Sequence, residues 1–394
     1  MRIALYYPWI YLTSGSERVI LEITGASRHD WTLFTNHFNP AQTYPGFSDR
    51  RVVELDRVSV VRTISNVGRA GWTIARQRLP LEGYDALFVV CEGLGDLTVF
   101  RKGNVPAVCY CLTPLRVAFD PVYRERAEST RSGLHRAALG AGISVFRAID
   151  RAAWKHYSYV FWVSDEARRR AEAGGLKPSG PTEMLRPGLG IYGKPGGPSE
   201  AFFLIAGRIM WTKNIELGIE AFLRFREAYP GFRLVIAGMV DGKSESYLER
   251  LKGMAGGARD IEFIPAPSDE QLRSLYSRCF ALLFTPFNED WGIVPLEAMS
   301  FGKPVIAVNR GGPSESIEHE KSGILTAPEP EAFASWMGRL ITDTGLANRL
   351  ADEGPRSVAK YSWANVVERI DTVLEEIVKN QKLVSPNGGG ESLS

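Results

Sequence analysis

Short apolar runs alternate with longer amphipathic segments along most of the chain, which is the pattern of parallel β-α-β units. In the first half, RIALYY, WTLFTN, ALFVVC and AVCYCL are the strand candidates, and a helix starts near Ser16. The second half restarts the pattern. FFLIAGR, RLVIAG, IEFIPA, ALLFTP and PVIAVN are its strands, and NIELGIEAFLRFREAYP, SDEQLRSLYSRC and PLEAMSFG are helices. Between the halves, LRPGLGIYGKPGGPSE (185–200) is too rich in glycine and proline to continue a helix or a central strand. It reads as a linker. The expected organisation is an α/β domain at 1–184, the linker at 185–200, a second α/β domain at 201–360, a C-terminal helix at 361–383 and a disordered tail at 384–394. A length of 394 residues agrees, being too great for one core of ordinary size.

Hydrophobic residues make up 44% and charged residues 23%, which excludes wholesale disorder and fibrous repeats. The net charge of +2 hides an uneven distribution. From Arg101 to Arg170 there are 13 Lys/Arg against 6 Asp/Glu, and such a stretch favours phosphate, nucleic acid or an acidic membrane surface. Cys91, Cys109, Cys111 and Cys279 fit neither a zinc ribbon nor a disulfide framework and sit in apolar runs. A cytoplasmic location is the simplest expectation. The opening MRIALYYPWIYL lacks an A-x-A site, and no apolar run approaches the ~20 residues that cross a bilayer, so any membrane contact is peripheral, at its inner face. Segment 131–155 suits such contact. Leu134, Leu139, Ile143, Phe146, Ile149 and Trp154 alternate there with Arg136, Arg147, Arg151 and Lys155, and the helical pattern runs on through KHYSYVFWVS. Two uses fit this helix: lying on an anionic membrane, or packing against the core.

Three stretches carry chemistry. GRIMWTKN follows a strand and places Arg208 and Lys213 where ligands collect in parallel sheets, a planar fork and a point charge suited to a diphosphate. TSGSERV puts Gly15 at a turn before a helix, whose free N–H groups attract anions, but it matches neither the dinucleotide fingerprint nor the P-loop. In NEDWGIVPLEAM, proline favours a helix start near Pro295, which leaves Glu289 in a loop and Glu297 in the first helical turn. The two carboxylates then flank a gap into which the N–H groups of Trp291, Gly292, Ile293 and Val294 point. Ionised carboxylates accept hydrogen bonds only, as sugar and ribose hydroxyls require.

With these residues in place, the sequence resembles glycosyltransferase family 4, the retaining, nucleotide-sugar-dependent enzymes of the GT-B fold. Glu289 and Glu297 match the family's E-x7-E. AGRIMWTKN, IEFIPAPSDEQLRSLY and RGGPSESIEHEKSGIL stand in the family's order over roughly 201–325. YCLTPLRVAFD, RAIDRAAW and WVSDEA resemble the subgroup that builds bacterial surface polysaccharides, including many mannosyltransferases. The resemblance implies two Rossmann-like α/β domains facing a central cleft, with the C-terminal helix free to return to the first domain. It implies that Arg208 and Lys213 bind the donor diphosphate, that Glu297 holds the ribose and Glu289 the donor sugar, and that Gly15 lies over the phosphates. The base would lie near Phe263 and Ile264. The co-substrate is a GDP- or UDP-linked sugar, the acceptor is lipid-linked or a growing glycan, and neither a nucleic-acid partner nor a metal is implied; the chain contains no D-x-D pair. Retention would follow a front-face path, with the departing phosphate oxygen as base.

One position departs from the pattern. Where many relatives read His-Thr-Pro, this chain reads Leu112-Thr113-Pro114. In relatives the histidine side chain contacts the donor's 6-hydroxyl and its carbonyl faces the reacting centre, so leucine keeps only the carbonyl. Two readings fit this change: a donor without a used 6-hydroxyl, such as a pentose or 6-deoxy sugar in place of a GDP-mannose-like one, or another side chain that replaces the histidine. The alternative reading is a catalytically degraded GT-B protein that binds a nucleotide sugar or a partner enzyme without turnover. An epimerase of the same architecture is disfavoured, because it has no use for the basic helix.

Overall fold

The apolar runs assigned to strands all form strands in the computed structural model, which describes residues 1–61 and 63–384. The first sheet contains β1 (Arg2–Tyr6), β2 (Asp30–Thr35), β3 (Arg51–Glu54), β4 (Ala86–Cys91), β5 (Ala107–Cys111), β6 (Tyr157–Trp162) and β7 (Thr182–Met184). Its order is β3-β2-β1-β4-β5-β6-β7, and all pairs are parallel. The second sheet contains β8 (Phe202–Ala206), β9 (Arg233–Gly238), β10 (Ile261–Pro265), β11 (Ala281–Phe284), β12 (Val305–Val308) and β13 (Ile324–Thr326), in the parallel order β10-β9-β8-β11-β12-β13. Helices cover both faces of such sheets, so the central strands are continuous apolar runs, as in ALFVVC and FFLIA, where every residue is buried. Each sheet reverses its strand order beside its first strand, as in the Rossmann arrangement.

The chain divides into two units: Met1–Pro187 together with the chain from Trp363 onward, and Gly188–Ser362. Segment 185–200 contains no helix or strand, and the division falls within it. From Gly188 on it is pinned to the second unit: the Gly193 N–H donates to Ser300 Oγ at 3.3 Å. A β-carbon at Gly193 would fall 2.1 Å from the Phe301 ring, so only glycine fits. The last helix, Trp363–Val384, belongs to the first unit and packs against helix Gly15–Ala26. Val366, Val367, Ile370, Val373 and Leu374 are buried there, and Asp371 accepts from Ser27 Oγ at 2.6 Å and from the Arg28 N–H at 3.0 Å. The expected tail lies outside the described residues, apart from Val384, which ends this helix.

Two expectations about 131–162 are corrected. The helix runs only from Gly133 to Trp154, and Tyr157–Trp162, read as its continuation, is strand β6. The run YSYVFW is rich in aromatic and β-branched residues that suit a pleated surface, and Trp154 stacks on Trp162 with ring centroids 5.3 Å apart, so helix and strand meet at a tight turn. The apolar residues of the helix also split between two faces. Leu139, Ile143 and Trp154 enter the core, whereas Leu134 (82% exposed), Val145 (60%) and Ile149 (42%) face solvent. Arg147 donates to the Ala118 carbonyl and Arg151 to the Gly174 carbonyl, so both guanidinium groups turn back onto the protein. Among the described residues no helix is long and apolar enough to cross a membrane.

Candidate functional site

In the second unit the chain leaves β8 and β11 in opposite directions, and the loops after these two strands meet beyond their carboxyl ends. The first loop begins at Gly207, whose φ of +117° turns the backbone away from the sheet. Its carbonyl comes so close to β9 that a β-carbon on Gly238 would sit 1.7 Å from it. Arg208 follows, then the turn Trp211–Lys213, and left-handed Asn214 (φ 47°) leads into helix Ile215–Ala228. The second loop runs from Thr285 to Gly292. Thr285 Oγ1 donates to the Lys213 carbonyl at 2.8 Å, and the Phe287 N–H donates to the Thr212 carbonyl at 3.2 Å. These bonds bring Lys213 Nζ to 2.5 Å from Glu289 Oε2.

A third loop, after β12, holds the second in place. The Gly312 N–H donates to the Glu289 carbonyl at 2.8 Å. A β-carbon at Gly311 would meet Glu289 O at 2.2 Å, and one at Gly312 would meet Trp291 O at 2.1 Å. The glycine pair in RGGPSES thus lets two backbones lie against each other, a role that the sequence signalled only as a motif. Arg208 differs from its neighbours. It is half-buried, and among the described residues its guanidinium has no hydrogen bond, ion pair or ring contact.

Glu297 sits elsewhere than expected. Its helix spans Ile293–Ser300 and begins after Gly292 (φ +78°), not at Pro295, so Glu297 lies in the second turn. Proline is tolerated within the first turn because the N–H groups there have no intrahelical acceptor, which leaves those of Ile293 and Val294 at the helix start. Glu297 is buried. Its Oε1 accepts from the Ile191 N–H at 2.9 Å and its Oε2 from Tyr276 OH at 2.9 Å. Burial and the Glu297 carboxylate push the Tyr276 hydroxyl well above its ordinary range, so it stays a donor. Neither partner was foreseen, although Tyr276 closes the IEFIPAPSDEQLRSLY segment. Phe263 and Ile264 lie on β10 at the sheet edge, and Phe263 packs partly into the core.

In the first unit Gly15 opens helix Gly15–Ala26, capped by Ser14, and nothing lies within 4 Å of the place where its β-carbon would be. Buried Glu17 accepts from the Leu12 N–H at 3.2 Å and from Ser14 Oγ. Glu92, the residue after β4, accepts from Tyr7 OH at 2.8 Å and from Ser16 Oγ. Glu92 was missed in the sequence, although a charge directly after an apolar run at the reversal of the sheet is the available signal. Leu112 follows β5 and is 9% exposed. The four cysteines are buried and free. Cys91, Asp96 and Cys109 place ligand-type atoms within 4.8 Å of one another, but the Asp96 oxygens already accept from Tyr157 OH (2.5 Å) and Cys91 Sγ (3.0 Å).

Two Rossmann-type sheets, the second carrying cations at its switch point, define the GT-B class of α/β protein. Residues 194–357 match the family described as Glycosyl transferases group 1, and the chain carries that domain. The mouse alpha-1,3/1,6-mannosyltransferase ALG2 is 35% identical over 169 residues, which are 40% of this chain and 41% of that protein. The chain thus spans about two fifths of that relative's length. Two solved structures share the fold over nearly all of the chain. The sucrose-phosphate synthase from Thermosynechococcus elongatus gives a TM-score of 0.74 at 18% identity, covering 96% of this chain and 100% of that one. Anabaena Alr3699/HepE, solved in complex with UDP and glucose, gives 0.73 at 17% identity, covering 95% and 99%.

Proposed function

We propose that this chain is a retaining glycosyltransferase. It moves a sugar from a GDP- or UDP-linked donor to a lipid-linked or growing glycan acceptor, in cell-surface polysaccharide or glycoconjugate synthesis. The observation that carries this reading is Arg208, a half-buried cation without a partner among the described residues, beside the Lys213–Glu289 pair at the switch point of the second sheet. A donor diphosphate supplies the missing anion. In this reading the diphosphate draws Lys213 away from Glu289, which frees the carboxylate for the hydroxyls of the donor sugar. Glu297 takes the ribose hydroxyls as an acceptor, and the N–H groups of Trp291, Gly292, Ile293 and Val294 line the same end.

Charge developing on the leaving phosphate is stabilised by Arg208 and Lys213, and that phosphate takes the acceptor proton as the acceptor attacks on the same face. The roles proposed for Gly15 at the phosphates, Phe263 and Ile264 at the base and Leu112 at the sugar complete the donor site. No metal enters this scheme. The acceptor's lipid places the protein at the inner face of the membrane, in peripheral contact through 131–155.

A thermal-shift panel of GDP, UDP, ADP and TDP sugars tests the donor site, since a ligand at 100 times its dissociation constant stabilises by roughly 2.7 kcal/mol. A shift with one nucleotide class is expected, and no shift with any would sink the reading. Sugar transfer to a lipid-linked acceptor then separates an enzyme from a binding protein.

A further inference from the structure

A helix that lies on an anionic membrane needs cations beside its apolar stripe, and helix Gly133–Trp154 supplies few. Arg147 and Arg151 turn back onto carbonyls of the protein. The outward stripe, opposite the core residues Leu139 and Ile143, consists of Leu134, Ala138, Ala141, Val145, Ile149 and Ala152, all exposed and none charged. Such a stripe can enter an acyl boundary but gives an acidic surface nothing to attract.

The missing charge stands on another helix of the same unit. Helix Ile64–Arg76 and helix Gly133–Trp154 both pack against the short helical segment Leu94–Arg101. Ala70 and Ile74 of the first and Leu139 and Ile143 of the second enter one core, to which β4 gives the alternate residues Leu87, Val89 and Cys91. Alternate residues of a strand share a face, so both helices cover the same face of the first sheet and their outer stripes point away from the same core. On helix Ile64–Arg76 the stripe opposite Ala70 and Ile74 is Arg69, Trp72 and Arg76, spaced three and four residues apart and all exposed. Trp72 is 65% exposed, and the Arg76 guanidinium lies 5.1 Å over its ring. The charge is of one sign: between Asp56 and Glu82 the sequence has five arginines and no acidic residue. Among the described residues Arg69, Arg76 and Arg78 have no ion pair. Phe100, on the segment that both helices pack against, is exposed as well, and exposed Arg101 follows it. A bare tryptophan gains nothing in water, whereas at a bilayer interface both its apolar body and its N–H find partners.

We propose that these two stripes form one docking surface for an anionic bilayer: helix Gly133–Trp154 enters the acyl boundary, while Arg69, Trp72 and Arg76 hold the headgroups. The inference rests on the peripheral membrane contact in the reading above and moves its charge onto a second helix.

Sedimentation of the full chain with phosphatidylcholine vesicles, without and with about one third phosphatidylglycerol, tests it. The wild type should pellet with the anionic vesicles and stay in solution with the neutral ones. Each arginine near such a surface contributes about fivefold to partitioning, so Arg69→Gln with Arg76→Gln should weaken it about thirtyfold. Arg69→Lys with Arg76→Lys should keep most of it, since the surface attracts charge rather than a planar fork. Brominated phosphatidylcholine in the anionic vesicles should quench part of the wild-type tryptophan fluorescence, and Trp72→Phe should remove a share of that quenching. These side chains face solvent, so unchanged melting temperatures will show that the variants are folded. Unchanged partitioning of the glutamine pair overturns the proposal and leaves the membrane contact to helix Gly133–Trp154 alone. Equal pelleting with neutral vesicles overturns it too. If the wild type pellets with neither, the membrane contact of the reading above falls with the proposal, whereas sugar transfer in detergent still decides whether the chain is an enzyme. Self-association that the glutamine pair abolishes, without vesicle binding, makes the face an interface between copies and also overturns it.

Discussion

Lys213 pairs with Glu289, and the pair is only partly exposed, so neither partner is idle surface charge. Replacing Lys213 with alanine should lower transfer by at least about a hundredfold, as loss of a preorganised charge at a leaving group does. The melting temperature should stay within a few degrees, because the pair lies in loops that carry little of the core. Leu112→His puts an imidazole where the resemblance to family 4 leads one to expect it. It should raise the preference for GDP-mannose over GDP-6-deoxymannose about tenfold, the worth of one hydrogen bond, and unchanged preference would separate donor choice from this position. Asp96 makes a third case. Burial pushes it up to about 6, against the hydrogen bonds from Cys91 and Tyr157 that favour its charge. Burial and the Asp96 charge raise nearby Asp150, whose oxygens have no hydrogen-bond partner among the described residues, well above its ordinary value. A carboxyl raised in the folded state stabilises fully below its unfolded value near 4, and that contribution is lost as pH rises through 6. Asp96→Asn should therefore melt above wild type at pH 8 by about 1–3 kcal/mol of stability, and the gap should close as the pH falls to 4.5. Parallel melting curves across that range would show that Asp96 titrates normally.

At the scale of elements, the central strands were legible because burial on both faces forces unbroken apolar runs, and FFLIA or ALFVVC admits no other use. The peripheral strands were not. Arg51–Glu54, Thr182–Met184 and Ile324–Thr326 are three or four residues long, too short for a period, and only the neighbouring strand recruits them. Helix Gly133–Trp154 misled for another reason. Its large apolar residues are spread over more than one face, so the sequence could not divide Leu139 and Ile143, which enter the core, from Leu134, Val145 and Ile149, which do not. For the candidate site, Arg208, Lys213 and Glu289 were proposed from strand ends and spacing, whereas the Glu297 contacts with Ile191 and Tyr276 come from distant segments that no local pattern reveals. The exposed half of the helix gives a test at its own scale. Changing Leu134, Val145 and Ile149 together to serine should abolish sedimentation with vesicles containing anionic lipid and leave the melting temperature unchanged. Undiminished sedimentation would move the proposed membrane contact off this helix.

On the scale of the whole molecule, each unit has its own sheet and core, so the donor reading makes a prediction about a fragment. Gly188–Ser362 alone should bind the nucleotide that shifts the full chain, with affinity reduced by whatever the first unit adds, and calorimetry on the fragment decides it. The full chain should also transfer sugar at the same rate in excess EDTA, since the proposed scheme gives two side-chain cations the work of a metal; loss of rate on chelation would refute it.

The helix Trp363–Val384 has a consequence in time. It completes the first unit, yet it is synthesised after the whole of the second. During translation the second unit is complete in sequence and can close as soon as it leaves the ribosome. The first waits, with the surface later covered by Val366, Ile370, Val373 and Leu374 still open. The unit that begins first along the chain is therefore the one that finishes last.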